Sequence, residues 1–272
     1  MIVHLKDTEK AAPLFGAWPE TLIWSCLQKI MGDIYADSQE TPTSAKALLG
    51  DFCFLAGAPD EELLLHEPRR HRQDFTIMVP QNKEWEVLIQ WCYGKRAKKV
   101  SRYAMKKEPD CFHQGRLREA VSRLPDGYAL RMMDEAVFLR CKEIPWCRDW
   151  VSQYPDYALY QKHGLGAVIL KEGEPVSGAS SYAGYQGGIE IEIDTREDHR
   201  RKGLARVCGA KLILECLKRG WYPSWDAHNK WSVALAQQLG YHFDYAYTAY
   251  EVTRTERGIA GKDETACIMY GI

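Results

Sequence analysis

Between Gly188 and Gly220 the chain reads GIEIEIDTREDHRRKGLARVCGAKLILECLKRG, and no other stretch constrains the fold as tightly. Ile189, Ile191 and Ile193 alternate with Glu190, Glu192 and Asp194, so a pleated strand puts the isoleucines on one face and the carboxylates on the other. One face is expected to be core and the other wet or functional. Arg200-Arg201-Lys202-Gly203-Leu204-Ala205 then leads into a long apolar segment. A helix beginning near Leu204 leaves its first backbone N–H groups without intrahelical partners, and these, with the helix dipole, favour an anion. Gly203 removes a side chain where a ligand has to approach closely. Strand, glycine turn and helix N-terminus together make a phosphate cradle. An ordinary loop with a solvated charge run at 200–202 would need neither the acidic strand before it nor the apolar helix after it. No Gly-x-Gly-x-x-Gly follows a predicted strand, which argues against a dinucleotide fingerprint.

The chain has 272 residues, 46% of them hydrophobic, enough for two ordinary domains, expected at 1–125 and 126–272. A net charge of −1 disfavours general binding to nucleic acid or to an acidic membrane. No apolar run is long enough to cross a bilayer, and MIVHLKDTEK lacks the positive-then-apolar pattern of a signal peptide, so a cytoplasmic protein is expected. Nine cysteines at irregular spacing, without a Cys-x-x-Cys pair, read as reduced and mostly buried thiols, and no metal site is expected.

Before the central stretch the pattern predicts a helix over 21–31, a buried strand over 51–56, a short helix at 61–66, a strand at 75–79, a helix over 82–93 and a strand at 100–105. Trp85, Leu88, Ile89 and Cys92 form the apolar stripe of the 82–93 helix. A similar strand, helix, strand order is expected at 222–226, 231–239 and 247–252, which suggests a degenerate second copy of one fold in the N-terminal domain. That copy lacks the basic glycine loop. The basic stretch from Lys95 to Lys107 reads as a solvated turn and strand edge, with a nucleic-acid patch as the weaker alternative. Helices are expected at 114–124, 135–141 and 146–151, and strands at 128–132, 167–170 and 176–181. A glycine turn at Lys171–Glu174 joins the last two strands.

Arg-x-x-Gly-x-Gly/Ala between a strand and a helix resembles the acyl-CoA pyrophosphate signature of the GNAT N-acetyltransferase superfamily, with Arg200, Gly203 and Ala205 in its places. The likeness runs from about Gly164 to Val252. IEIEIDT and YPSWDAHN resemble most a bacterial branch that includes zwittermicin A resistance acetyltransferases. The resemblance implies an α/β (α+β) fold, a mixed and mostly antiparallel sheet flanked by helices, and acetyl-CoA as co-substrate. It implies cofactor contacts from Ile193, Asp194, Arg200, Arg201, Lys202, Gly203, Leu204 and Ala205, with Asn229 and Ser232 on the pantetheine arm. Asn229 also reads as an N-cap.

Acetyl transfer to an amine needs a neutral nitrogen, a polarised thioester carbonyl and a proton for the departing thiolate. Glu192 is the expected base, directly or through water, with Glu190 as runner-up. Crowding with Asp194 would raise their pKa values, and the same carboxylates could instead only attract a cation. The superfamily commonly has a tyrosine acid where this chain has Ala236; Tyr182, Tyr241 and Tyr245 are the substitutes on offer. The expected partner is a small-molecule amine, with no nucleic acid and no membrane, and a homodimer is kept open. The competing reading is a non-catalytic acyl-CoA-binding or sensing protein.

Overall fold

The computed structural model describes residues 1–71 and 73–253. The chain divides into two compact units, Met1–Ser101 with the returning chain from Tyr247, and Arg102–Ala246. The expected boundary near residue 125 thus falls inside the second unit, because Leu117 and Ala120 belong to the same apolar core as Leu212 and Ile213.

In chain order the elements are β1 (Val3–His4), α1 (Ala12–Phe15), α2 (Thr21–Leu27), β2 (Asp33–Ala36), β3 (Ser44–Leu49), β4 (Phe52–Gly57), α3 (Glu61–Leu65), β5 (Phe75–Pro80), α4 (Lys83–Tyr93) and β6 (Ala97–Met105). They continue with α5 (Gln114–Ser122), β7 (Ala129–Met132), α6 (Glu135–Glu143), α7 (Tyr157–His163), β8 (Gly166–Lys171), β9 (Glu174–Tyr185), β10 (Gly188–Thr195), α8 (Leu204–Lys218), β11 (Tyr222–Ser224), β12 (Asp226–Ala227), α9 (Lys230–Leu239) and β13 (Phe243–Thr253). A 3-10 segment, Pro145–Trp150, stands between α6 and α7.

In the first unit β1, β2, β3 and β4 pair antiparallel in sequence, β4 and β5 pair parallel, and Tyr250–Thr253 closes antiparallel on β5. The Asn82 side chain caps α4 by accepting from the Trp85 N–H at 3.0 Å. Trp85 and Ile89 are buried with Leu55 and Tyr250, and Leu88 and Cys92 pack at the edge of that core, as the apolar stripe predicts. β2 and β3 escape a reading by alternation because Lys46 sits in the middle of β3, only 2% exposed. Its ammonium donates to the Leu63 and His66 carbonyls at 2.7 and 2.5 Å, which makes the burial tolerable.

The second unit repeats the same order of pairings. β7, β8, β9 and β10 are antiparallel neighbours, and β10 pairs parallel with β11. Ile189 and Ile191 are buried and Ile193 packs at the edge of one core with Val207, Cys208 and Leu239, so one face of β10 is core. The charged stripe of α8 closes on itself, with Glu215 bonded to Lys211 at 2.7 Å and Lys218 at 2.8 Å. Six of the cysteines are buried, Cys92 and Cys111 are half-buried, and none of the eight in the described residues is disulfide-bonded; Cys267 lies outside those residues.

Candidate functional site

The parallel pairing of β10 with β11 covers only Gly188–Glu190 against Tyr222–Ser224. One residue later the chain turns away, and Asp226 and Ala227 pair instead with Ala104 and Tyr103 of β6. Past Glu190, β10 keeps β9 as neighbour and loses β11, so the two strands fork. The other edge of β10 is irregular at the same level. Glu190 faces Ala183 and Ile191 faces Ser181, which leaves Tyr182 as an extra residue in β9, a β-bulge at the vertex of the fork.

β10 ends at Thr195, and the loop that follows delivers the basic residues to the N-terminus of α8. Arg196 chelates Asp198 at 2.7 and 2.9 Å and donates to His199 Nε2 at 2.8 Å. A guanidinium can only donate, so His199 Nδ1 carries the proton and donates to the Tyr128 oxygen, 2.8 Å away. Burial lowers the His199 pKa, in keeping with a neutral ring. Arg200 Nε donates to the Thr195 carbonyl at 3.2 Å and Lys202 Nζ to the Asp198 carbonyl at 2.9 Å. Together these bonds brace the loop from within.

Gly203 is the N-cap of α8, in the left-handed region at φ 76°. A Cβ there would meet no protein atom within 4 Å, so within the chain it is the left-handed turn that calls for glycine, and the space beside it is open. Arg201, at φ 59°, takes a similar conformation two residues earlier. The first bond of α8 runs from Val207 N to Gly203 O at 3.2 Å, which leaves the N–H groups of Leu204, Ala205 and Arg206 at the open end of the helix. Arg201, Lys202 and Gly203 are exposed, and Arg200, Ala205 and Arg206 are half-buried. The side chains of Leu204 and Ile193 belong to the core, so only their backbone groups can serve a ligand.

The carboxylate face of β10 is partly covered, with Glu190 buried and Glu192 and Asp194 half-buried. Trp150 lies against Gly178, the cross-strand partner of Asp194, and Tyr160 Oη bonds Ser180 Oγ, on the partner of Glu192, at 2.7 Å. The three acids therefore stand in different surroundings. Glu190 is 9% exposed, and its Oε1 accepts from the Asp226 N–H at 2.8 Å. Glu192 is half-buried. Burial pushes Asp194 up to about 7, helped by Asp149, against the opposing pull of the Thr195 N–H and of Arg200.

Asn229 Oδ1 accepts from the Ser232 N–H at 2.9 Å, so Asn229 caps α9, and Ser232 Oγ accepts from the Trp225 indole at 3.0 Å. Ala236 is fully buried, which leaves no room for a tyrosine at that position. Tyr241 is buried and donates to the Pro223 carbonyl at 2.5 Å, so it is corrected from an acid substitute to a structural residue. Tyr182 is buried at the bulge, and Tyr245 is half-buried on β13. Within the basic stretch Lys98 pairs with Glu251 and Lys99 with Glu86, both in the first unit. Arg102 does not belong to a solvated edge: it is 7% exposed and pairs with Asp226 at 2.6 Å. Its partner stands 124 positions later, so no local pattern signals it.

The GNAT acetyltransferase family model matches residues 12–250. A solved structure of a GCN5-related N-acetyltransferase-like protein from Streptococcus suis 89/1591 is 48% identical, with a TM-score of 0.86 over 91% of this chain and 98% of that one. The Bacillus subtilis (strain 168) uncharacterized N-acetyltransferase YdfB is 26% identical over 251 residues, 85% of this chain and 89% of its own. A tandem GNAT protein from the clavulanic acid biosynthesis pathway shares the fold at 11% identity, with a TM-score of 0.52 over 93% of this chain and 98% of that one.

Proposed function

Because this chain belongs to the GNAT acetyltransferase family and is an N-acetyltransferase-type acyltransferase, we propose that its second unit seats acetyl-CoA in the fork between β10 and β11. In this reading the acetyl group passes directly to a primary amine of a small cationic acceptor. The observation that carries it is a fork in which β10 parts from β11 past Glu190 and leads, through a braced loop, to the open N-terminus of α8. Leu204, Ala205 and Arg206 offer backbone N–H groups to the pyrophosphate, with Arg200, Arg201 and Lys202 adding positive charge. Past Glu190 the edge of β10 that has parted from β11 offers backbone groups to the pantetheine arm, and α9, capped by Asn229, lines the approach with Ser232.

In the transfer step the amine nitrogen bonds to the acetyl carbon, the carbon–sulfur bond breaks, and the proton lost by nitrogen goes to a base. Glu192 is the base in this reading. We keep Glu190 as the runner-up, because its Oε1 already accepts from the Asp226 N–H and is engaged in holding the departing chain. The acidic face selects a cationic acceptor, one of whose nitrogens must be neutral to react. The first unit, with the same order of strand pairings, is a degenerate copy of the same fold and completes the molecule without a second cradle.

Calorimetric titration with acetyl-CoA tests the reading. Gly203→Val, which forces a branched side chain into a left-handed turn at the cradle, is expected to weaken acetyl-CoA at least about tenfold. Glu192→Gln is expected to leave affinity nearly intact while slowing thiol release across a panel of amines. Normal affinity in a folded Gly203→Val protein would remove the phosphate assignment. Tight binding by the parent protein without turnover on any amine would favour the non-catalytic acyl-CoA-binding reading, to which Ala236 in the tyrosine position lends support.

A further inference from the structure

The fork carries a side-chain assembly that the transfer chemistry does not use. Arg102, on the β6 residues of the second unit, donates from Nε and Nη2 to one oxygen of Asp226 at 2.7 and 2.6 Å. Its Nη1 lies 3.4 Å from His228 Nδ1. The backbone N–H of the same Asp226 donates to Glu190 Oε1 at 2.8 Å. Asp226 is thus held from two sides, by its carboxylate toward β6 and by its backbone toward β10. Just before it, the Trp225 indole is bonded to Ser232 in the first turn of α9; just after it, His228 precedes the Asn229 cap.

Beyond Ser224 the ladder between β10 and the departing chain has ended, and Glu190 supplies from its side chain the acceptor that a neighbouring strand would otherwise give. The material chosen for this tie is informative. A buried ion pair adds little net stability over apolar residues of the same size, because desolvation offsets most of the attraction, but it holds one geometry. Here that geometry is the offset between the two walls of the fork.

We infer that Arg102, Asp226 and Glu190 form a clamp that positions the fork, setting the seat of the pantetheine and thioester without touching the reacting atoms. The inference rests on the acetyl-CoA reading above. All three are positioning residues, and the clamp lies at the vertex of the fork, where the β10–β11 pairing ends, while the pyrophosphate cradle lies beyond Thr195, at the other end of β10. Loss of the clamp should therefore separate the two halves of the ligand.

The test uses the full chain and two probes, acetyl-CoA and 3′-phospho-ADP, which carries the pyrophosphate without the pantetheine arm. Arg102→Gln alone takes its guanidinium partner from a half-buried carboxylate and is expected to lower the melting temperature; the pair Arg102→Gln with Asp226→Asn removes both charges and restores it. The double variant is expected to bind acetyl-CoA about tenfold more weakly while 3′-phospho-ADP stays within about twofold. Glu190→Ala, a second and milder variant, is expected to show the same split, and Glu190→Gln to keep parental binding of both probes, since an amide oxygen still accepts from the Asp226 N–H. A double variant with parental melting and parental acetyl-CoA affinity overturns the clamp, as does equal loss of both probes. Failure of the parent protein to bind acetyl-CoA overturns the reading beneath it instead, a result that the variants cannot mimic.

Discussion

At the scale of the residue, Glu190, Glu192 and Asp194 look equivalent in the sequence and differ in the fold. Alternation put all three on one face of β10 and did so correctly, but it carried no information on what covers that face. The 3-10 segment Pro145–Trp150 and helix α7 do, and burial under them pushes Asp194 up to about 7 from an ordinary 3.8. Its folded pKa is raised, so between about 3.8 and about 7 the native state holds a proton that the unfolded chain has lost, and stability falls as pH rises through that window. Asp194→Asn should flatten this part of the profile and raise the melting temperature at pH 8, read from thermal denaturation across pH 4 to 9. An unchanged slope would place the carboxyl in a more hydrated setting. Arg102 makes the same point for a cation: flanked by lysines, it reads as surface, and only the return of Asp226 buries it.

Elements were more legible than their pairings. The helix α8 and strand β10 follow from periodicity and from one glycine, and the Glu172-Gly173 turn takes positive φ at both residues, 53° and 84°, as a two-residue hairpin requires. The fork between β10 and β11 was not legible, because register depends on which strands meet and a departing strand resembles a short one. The cap of α9 is local and was legible, since Asn229 stands directly before the helix it caps. Asn229→Ala removes the acceptor for the Ser232 N–H and should cost about 1 kcal/mol, measured by denaturant unfolding, with the larger consequence in acetyl-CoA affinity if the α9 terminus lines the pantetheine path. Equal stability of the variant would show that solvent satisfies that N–H as well as the side chain does.

For the whole molecule, the two units share a strand order and differ where ligand chemistry would reside. In the second unit the parallel pair forks and a 15-residue helix follows β10; in the first, β4 and β5 stay paired from Phe52–Ile77 to Leu55–Pro80, and the helix after β4 has 5 residues. A pair that stays zipped exposes no free strand edge, so acetyl-CoA is expected to bind with a stoichiometry of one per chain, read from the same calorimetry. Two equivalent sites would assign the first unit a cradle of its own. By itself the sequence determined the acidic strand, the basic glycine loop, the long helix and hence the family of fold, because periodicity and backbone conformation are local properties written in neighbouring residues. The tertiary structure alone decided that Glu190 is bound to a backbone donor, that Asp194 is half-buried beside Asp149, that Arg102 joins the fork and that the first unit stays closed. Those outcomes depend on desolvation and on partners distant in the chain, 36 residues apart for Glu190 and Asp226 and 124 for Arg102 and Asp226, and neither is encoded in any one stretch of chain.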